Sequence, residues 1–421
     1  MPNQVKFAGW FLATVVLTLL LAPGAAAESK EYVLHAFGGE GDASFPTSAL
    51  VADAAGNLYG EGGGGAHGFG AIFKLTRTSG GWKESVVFAF PGGKEGNGPA
   101  GNLVWDATGN LYGTTIGGGN TRLCHGSGCG TVFELSPSSD GKWKETVLYR
   151  FGGCKTDGCR PYGGVIFDMS GNLYGTTSGG VGPKGAGTVF MLSPTSNGWS
   201  EAILHSFTNG DDGAQPSSGL VLDSVGNLFG VTQYQGGCDG CGTVFEVSPT
   251  SGGEWQEKSI HVFSGGDDGR YPNGPLILDK AGNLYGTTFY GGTSNLGVAF
   301  ELRPASGGTW TENVLHDFVL ESGNEAYKPD AGLVFDAARN LYGTTYYGGG
   351  LSYCDQRGCG TVFELTPGNG GKWTENVLHS FTAGNDGQNP MAAVIVEGGK
   401  LYGTTVYGGV HGDGVVFEVK P

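Results

Sequence analysis

The sequence predicts an all-β protein, a seven-bladed β-propeller of four-stranded blades filling residues 28–421. Three observations carry this. Glycine occupies 84 of 421 positions, against an average near 7%, which argues against long helices. A unit of about 57 residues occurs seven times, and each copy holds four short runs of strand type. The copies are also circularly offset: the chain begins on the last run of one unit and ends before the last run of another. A ring closed by strand exchange uses both ends, whereas an open solenoid leaves an orphan run and an unfinished unit.

Composition excludes other readings. Aromatic residues make up 11% and charged residues only 15%, so the chain can bury a core and is not a disordered segment. Glycine is not at every third position, which excludes collagen. Residues 1–27 read as a secretory signal peptide: Lys6, then the apolar stretch 7–21, then Ala25, Ala26 and Ala27 before Glu28. Removing it takes Lys6 and no acid, so the net charge moves from −16 to −17. Such an acidic chain repels phosphates, and nucleic acid is not an expected partner. No second apolar run is long enough to span a membrane. The chain is expected to be a secreted monomer.

The runs follow one another in a fixed order. Run a is typified by residues 332–336 (GLVFD), run b by 340–345 (NLYGTT), run c by 360–365 (GTVFEL) and run d by 373–381 (WTENVLHSF). The run-b leucines are Leu58, Leu111, Leu173, Leu228, Leu284, Leu341 and Leu401. Alternation in c and d suits strands packed between neighbouring sheets. The first run d (31–37) precedes the first a, and the last unit stops after its c (414–419). Pairing these two closes the ring.

The units (GNLYGTT, then GG, then GTVFEL, then VLHSF) resemble the GloVer tandem-repeat family of secreted bacterial proteins with a variable C-terminal anchor. The resemblance covers nearly the whole mature chain. It implies an extracytoplasmic repeat protein and brings no established activity. No anchor is expected after Pro421. The a–b portion is also similar, more weakly, to the repeats of NHL and lyase-type propellers.

Loop lengths separate two faces. Runs a and b are joined at a nearly constant spacing, as are c and d. From the Leu of b to the Phe of c the distance varies between 15 and 22 residues. The b–c and d–a loops share one face, where a rigid scaffold places function.

Features present in every blade are expected to serve the blade. Four residues before each d–a proline stands an acid: Asp42, Glu95, Asp157, Asp212, Asp268, Glu325 and Asp386. They read first as turn carboxylates, and alternatively as a cation ring at the channel mouth that would take Ca²⁺; no other cofactor or metal is expected. His35, His205, His261, His316 and His379 share a run-d position with Phe88 and Tyr149, which marks it as packing. The eight cysteines fall in variable loops as Cys124/Cys129, Cys154/Cys159, Cys238/Cys241 and Cys354/Cys359. Local disulfides are expected in a secreted chain, although Cys124, Cys129, Cys154 and Cys159 allow cross-pairing or a zinc site.

Symmetry-breaking residues are better candidates for a ligand. Six residues after the run-b Leu, three blades have Gly64, Gly117 and Gly179, and four have Tyr234, Tyr290, Tyr347 and Tyr407. This tyrosine crescent suits stacking on sugars or peptides. Arg122, Arg160, Arg270, Tyr327, Tyr353 and Arg357 lie in the same loops. The favoured expectation is a non-enzymatic module binding carbohydrate or protein through the b–c/d–a face. The alternatives are a polysaccharide hydrolase or lyase using acids among Asp212, Asp268 and Asp386, and a structural envelope or matrix protein. No nucleophile motif of the G-x-S-x-G or H-E-x-x-H type occurs.

Overall fold

The computed structural model describes residues 29–181, 184–235, 240–320, 325–368, 371 and 373–421. The signal-peptide reading of residues 1–27 and the cysteine at 238 lie outside them.

Seven antiparallel sheets form the ring, each in the order a–b–c–d. Blade 5 shows the pattern: Ile277–Leu278, Leu284–Tyr290, Val298–Pro304 and Trp310–Asp317. The closing sheet takes Ile395–Glu397, Lys400–Thr405 and Val415–Lys420 from the C-terminus and Lys30–Ala36 from the N-terminus. Lys30 pairs with Lys420 and Ala36 with Val415, and the Phe37 amide donates to the Gly414 carbonyl just beyond. The anticipated strand exchange is therefore present, shifted by one residue at its ends.

The tight a–b turn has a local cause. In blade 1, Asp53 Oδ1 accepts from the backbone amides of Ala55 and Asn57, and Oδ2 accepts from the Asn57 side chain and the Tyr59 hydroxyl. The carboxylate thus closes the turn on itself. The same Asp–Asn pair recurs at Asp336 and Asn340.

Between blades the core is built of phenylalanine pairs. Each run-d Phe meets the run-c Phe of the following blade edge-on, with centroids 4.9–5.3 Å apart. Phe37, Phe90, Phe263 and Phe300 are all at most 1% exposed. The glycine of Leu-Tyr-Gly lies under these rings: a Cβ on Gly286 would stand 2.7 Å from Phe300 Cζ. Gly286→Ala is therefore expected to cost about 1–3 kcal/mol by overpacking, measured as a lower urea midpoint at unchanged m. An unaffected midpoint would show that the ring has room to move.

A second repeated contact explains the seven prolines. The glycine opening run c has positive φ, as at Gly297 (φ +102°), and its Cα lies under the ring of the next blade's d–a proline, here Pro329. A Cβ would meet that proline's Cδ at 2.2–3.0 Å in all seven blades. Glycine and proline are a matched pair across each blade interface.

Among the described residues no helix is long and apolar enough to cross a membrane.

Candidate ligand site at the channel mouth

The d–a loop carries a variable residue on each side of its proline, and the second of the two reaches the central cavity. The residue before each proline is Phe45, Gly98, Arg160, Gln215, Tyr271, Lys328 or Asn389, and all seven have φ between +48° and +65°. For a residue other than glycine this left-handed geometry costs about 1–2 kcal/mol. Each is held there because its amide donates to a carbonyl just ahead of the preceding blade's run c, at 2.6–3.3 Å; Gln215 to Ala186 and Lys328 to Leu296 are examples. The residue after each proline is Thr47, Ala100, Tyr162, Ser217, Asn273, Asp330 or Met391, and all seven line one central cavity of about 780 Å³. On both sides of the repeated proline, no two blades carry the same side chain.

The cavity wall is polar on blades 4 to 6. The Ser217 hydroxyl donates to Asn273 Oδ1 at 3.3 Å, the Gln233 amide donates to the same oxygen, and Asn273 Nδ2 donates to Asp330 Oδ1 at 2.6 Å. Asp330 keeps some surface open to the channel, yet burial pushes its carboxyl up to about 6 against the Asn273 hydrogen bond. Across the cavity Met391, Ala392, Ala49, Ala100 and Ile116 make the wall apolar. Tyr162, 39% exposed, and Arg160 stand on the blade 3 side.

Local disulfides shape the loops of this face. Cys124 pairs with Cys129, Cys154 with Cys159 and Cys354 with Cys359. Cys124 Sγ and Cys154 Sγ approach to 3.9 Å, and both residues line the cavity. Cys241 is also disulfide-bonded. With short internal loops, the bridges set loop shape more than global stability.

The tyrosine crescent forms an arc of aromatic and cationic contacts, and none of its four tyrosines lines the cavity. Tyr234 packs edge-on to Tyr271 at 5.4 Å. The Tyr290 ring is covered by Lys328 Nζ at 3.6 Å and the Arg270 guanidinium at 5.0 Å. Burial and Arg270 draw the Lys328 ammonium down to about 8, and it donates to the Asn295 carbonyl. Tyr347 stacks on buried Tyr327 at 6.0 Å, and Arg357 donates to the Tyr347 hydroxyl. Tyr407, 42% exposed, meets Phe45 at 5.7 Å. Arg122 and Tyr353 are exposed on the loops.

The seven acids are also absent from the cavity lining. They sit at the ends of the outer strands, where Asp42 Oδ2 lies 3.1 Å from His35 Nε2 and Asp212 Oδ2 lies 3.2 Å from His205 Nε2. Asp157 instead accepts from the Tyr149 hydroxyl and the Gly152 amide, and Asp386 accepts from Thr382. Glu95 and Glu325 hold the same loop position. A glutamate from the next blade's run d joins each interface, and burial raises Glu84 to about 7 and Glu145 to about 8.

Sequence reasoning missed Asn273, Asp330 and Glu61. The first two were signalled by their place after a repeated proline. Glu61 was signalled by run b of blade 1, which reads LYGEG where most blades read LYGTT. The equivalent Thr287 donates to a carbonyl of the next blade. Glu61 is 1% exposed, neither oxygen has a hydrogen-bond partner, and burial holds its carboxyl well above the usual range.

Fold and mouth together define the class: a closed seven-bladed β-propeller with a repeated frame and a channel mouth that differs at every blade. The chain belongs to the Gloeobacter/Verrucomicrobia repeat family, whose profile matches residues 124–355. Its structure is similar to that of PorZ, an essential bacterial surface component of the type-IX secretion system of Porphyromonas gingivalis. The two share 17% identity at a TM-score of 0.51, over 92% of this chain and 48% of PorZ. This chain thus spans about half of PorZ, and the likeness is one of fold. No curated protein matches the sequence.

Proposed function

We propose that this propeller is an extracytoplasmic binding module whose channel mouth takes a carbohydrate. One observation carries the reading: the two positions flanking each repeated proline vary in every blade, and the second of them lines a single cavity. The proline and the glycine beneath it repeat in all seven blades, so the blade interface gives no packing reason for the residues beside them to vary. The polar wall offers planar amide and carboxylate groups in a fixed hydrogen-bonded relay, and Tyr162 offers an aromatic face; together they suit hydroxyl-rich rings. Among the described residues Asp330 is the only carboxylate lining the cavity. Glycoside hydrolysis ordinarily uses a pair, so binding is favoured over turnover. The disulfides support an oxidising compartment, and the likeness to a bacterial surface component accords with it.

The test is retention on a panel of immobilised bacterial and plant glycans. The wild type is expected to bind a subset, and Asn273→Ala and Tyr162→Ala are each expected to weaken that binding on the order of tenfold, as loss of a buried polar or stacking partner does. Retention of no glycan, or equal retention by both variants, would refute the proposal.

A further inference from the structure

The blade interfaces carry a second constellation, outside the cavity lining. Between blades 4 and 5, His261 ends the outer strand Trp255–Val262, Asp268 follows in the loop, and Glu312 stands in the outer strand Trp310–Asp317. One ligand atom from each lies within 4.8 Å of the other two. His261 Nε2 is 3.8 Å from Asp268 Oδ2 and 3.9 Å from Glu312 Oε1. Both separations are too long for hydrogen bonds. His261 Nε2 and Glu312 Oε1 have neither solvent contact nor a hydrogen-bond partner. Buried donors and acceptors left bare in this way carry a cost that an occupant would remove.

At the equivalent positions the histidine lies nearer a carboxylate, 3.4 Å for His379 to Asp386 and 3.5 Å for His316 to Glu375, although both of these Nε2 atoms also lack a hydrogen-bond partner. His35 reaches Asp42 at 3.1 Å and His205 reaches Asp212 at 3.2 Å. At the interface of blades 4 and 5 the same three residue types stand apart around a gap.

We propose that His261, Asp268 and Glu312 bind a divalent first-row transition-metal ion, such as Zn²⁺ or Mn²⁺, between the outer strands of blades 4 and 5. An ion about 2.1 Å from each of three donors in tetrahedral array sets them about 3.4 Å apart. The two separations from His261, 3.8 and 3.9 Å, exceed that value by about half an ångström. One imidazole with two carboxylates suits a borderline ion, whereas Ca²⁺ and Mg²⁺ favour oxygen alone. Two ligands are already oriented. The Ser264 amide donates to Asp268 Oδ2 at 2.7 Å and its hydroxyl to Oδ1 at 2.5 Å. The His261 ring stands edge-on to Phe263 at 4.6 Å. Such outer support is what a metal site needs. The ion's charge would balance the two carboxylates, and its ligands would tie one blade to the next.

The whole chain, stripped of metal by dialysis, is titrated calorimetrically with Zn²⁺ and separately with Mn²⁺, and melted with and without each. Saturable binding and a raised melting midpoint are expected for at least one ion. His261→Phe is expected to fold, because Phe88 fills that position in blade 1, and to lower the stoichiometry by one ion. Glu312→Gln repeats the measurement with a near-isosteric side chain. His67→Ala, an exposed loop histidine, is expected to leave stoichiometry unchanged. The site is overturned if neither ion binds saturably, or if both ligand variants bind as many ions as the wild type.

Discussion

Asp330→Asn is expected to stabilise the protein at pH 8 while weakening its hold on the ligand. The carboxyl is raised to about 6 from the 3.8 of an unconstrained aspartate, with burial as the main cause. A raised acid contributes its full stability only below the unfolded value. That contribution falls as pH rises through about 4 to 6 and is gone above it. At about 1.4 kcal/mol per unit, the ionised carboxylate costs up to about 3 kcal/mol at pH 8. Asparagine has no charge to desolvate, and its carbonyl still accepts from Asn273. For a chain of this size the gain corresponds to about 3–4 °C in melting midpoint. Melts of both proteins should diverge at pH 8 and coincide below pH 4. A constant difference, or a loss at pH 8, would show that Asp330 is paired in a way its geometry does not display. Weaker glycan retention in the stabilised variant would mark the carboxylate as maintained for binding at the expense of stability.

Deleting residues 29–37 is expected to have the largest effect on the fold. The deletion removes the outer strand of the closing sheet and leaves the edge of Val415–Lys420 unpaired. It also removes Phe37, which is fully buried and edge-on to Phe73 at 4.9 Å. Loss of such a phenylalanine alone costs about 3–5 kcal/mol, and the bare edge invites pairing with another chain. Thermal melting should fall well below that of Phe37→Ala, and gel filtration should show oligomers. A synthetic peptide of residues 29–37 added in trans should restore the monomer and much of the midpoint. An unchanged melt would mean that closure does not depend on this strand.

Most of the fold was legible because its determinants are local and repeated. The Asp53–Asn57 turn, the alternation of runs c and d, and the glycine beneath each run-c phenylalanine all act within one blade or its neighbour. Seven copies turn weak signals into a firm one, and the offset ends name the closing strands. The site was less legible. Loop lengths chose the face that holds the cavity, but the tyrosines at its most visible symmetry break are occupied by Tyr271, Tyr327, Phe45, Lys328, Arg270 and Arg357. The informative variation stood one residue either side of each proline, where it reads in linear order as ordinary loop variability.

By itself the sequence determined the strand order, the blade count and the way the ring closes, since these follow from turn chemistry and hydrophobic period. Only the tertiary structure decided which side chains meet. Ser217, Asn273 and Asp330 are roughly one unit apart in the chain, and the curvature of the closed ring brings them to one wall. The properties of Asp330, Lys328 and Glu61 arise from the same source, because desolvation depends on everything packed around a group and not on its neighbours in sequence.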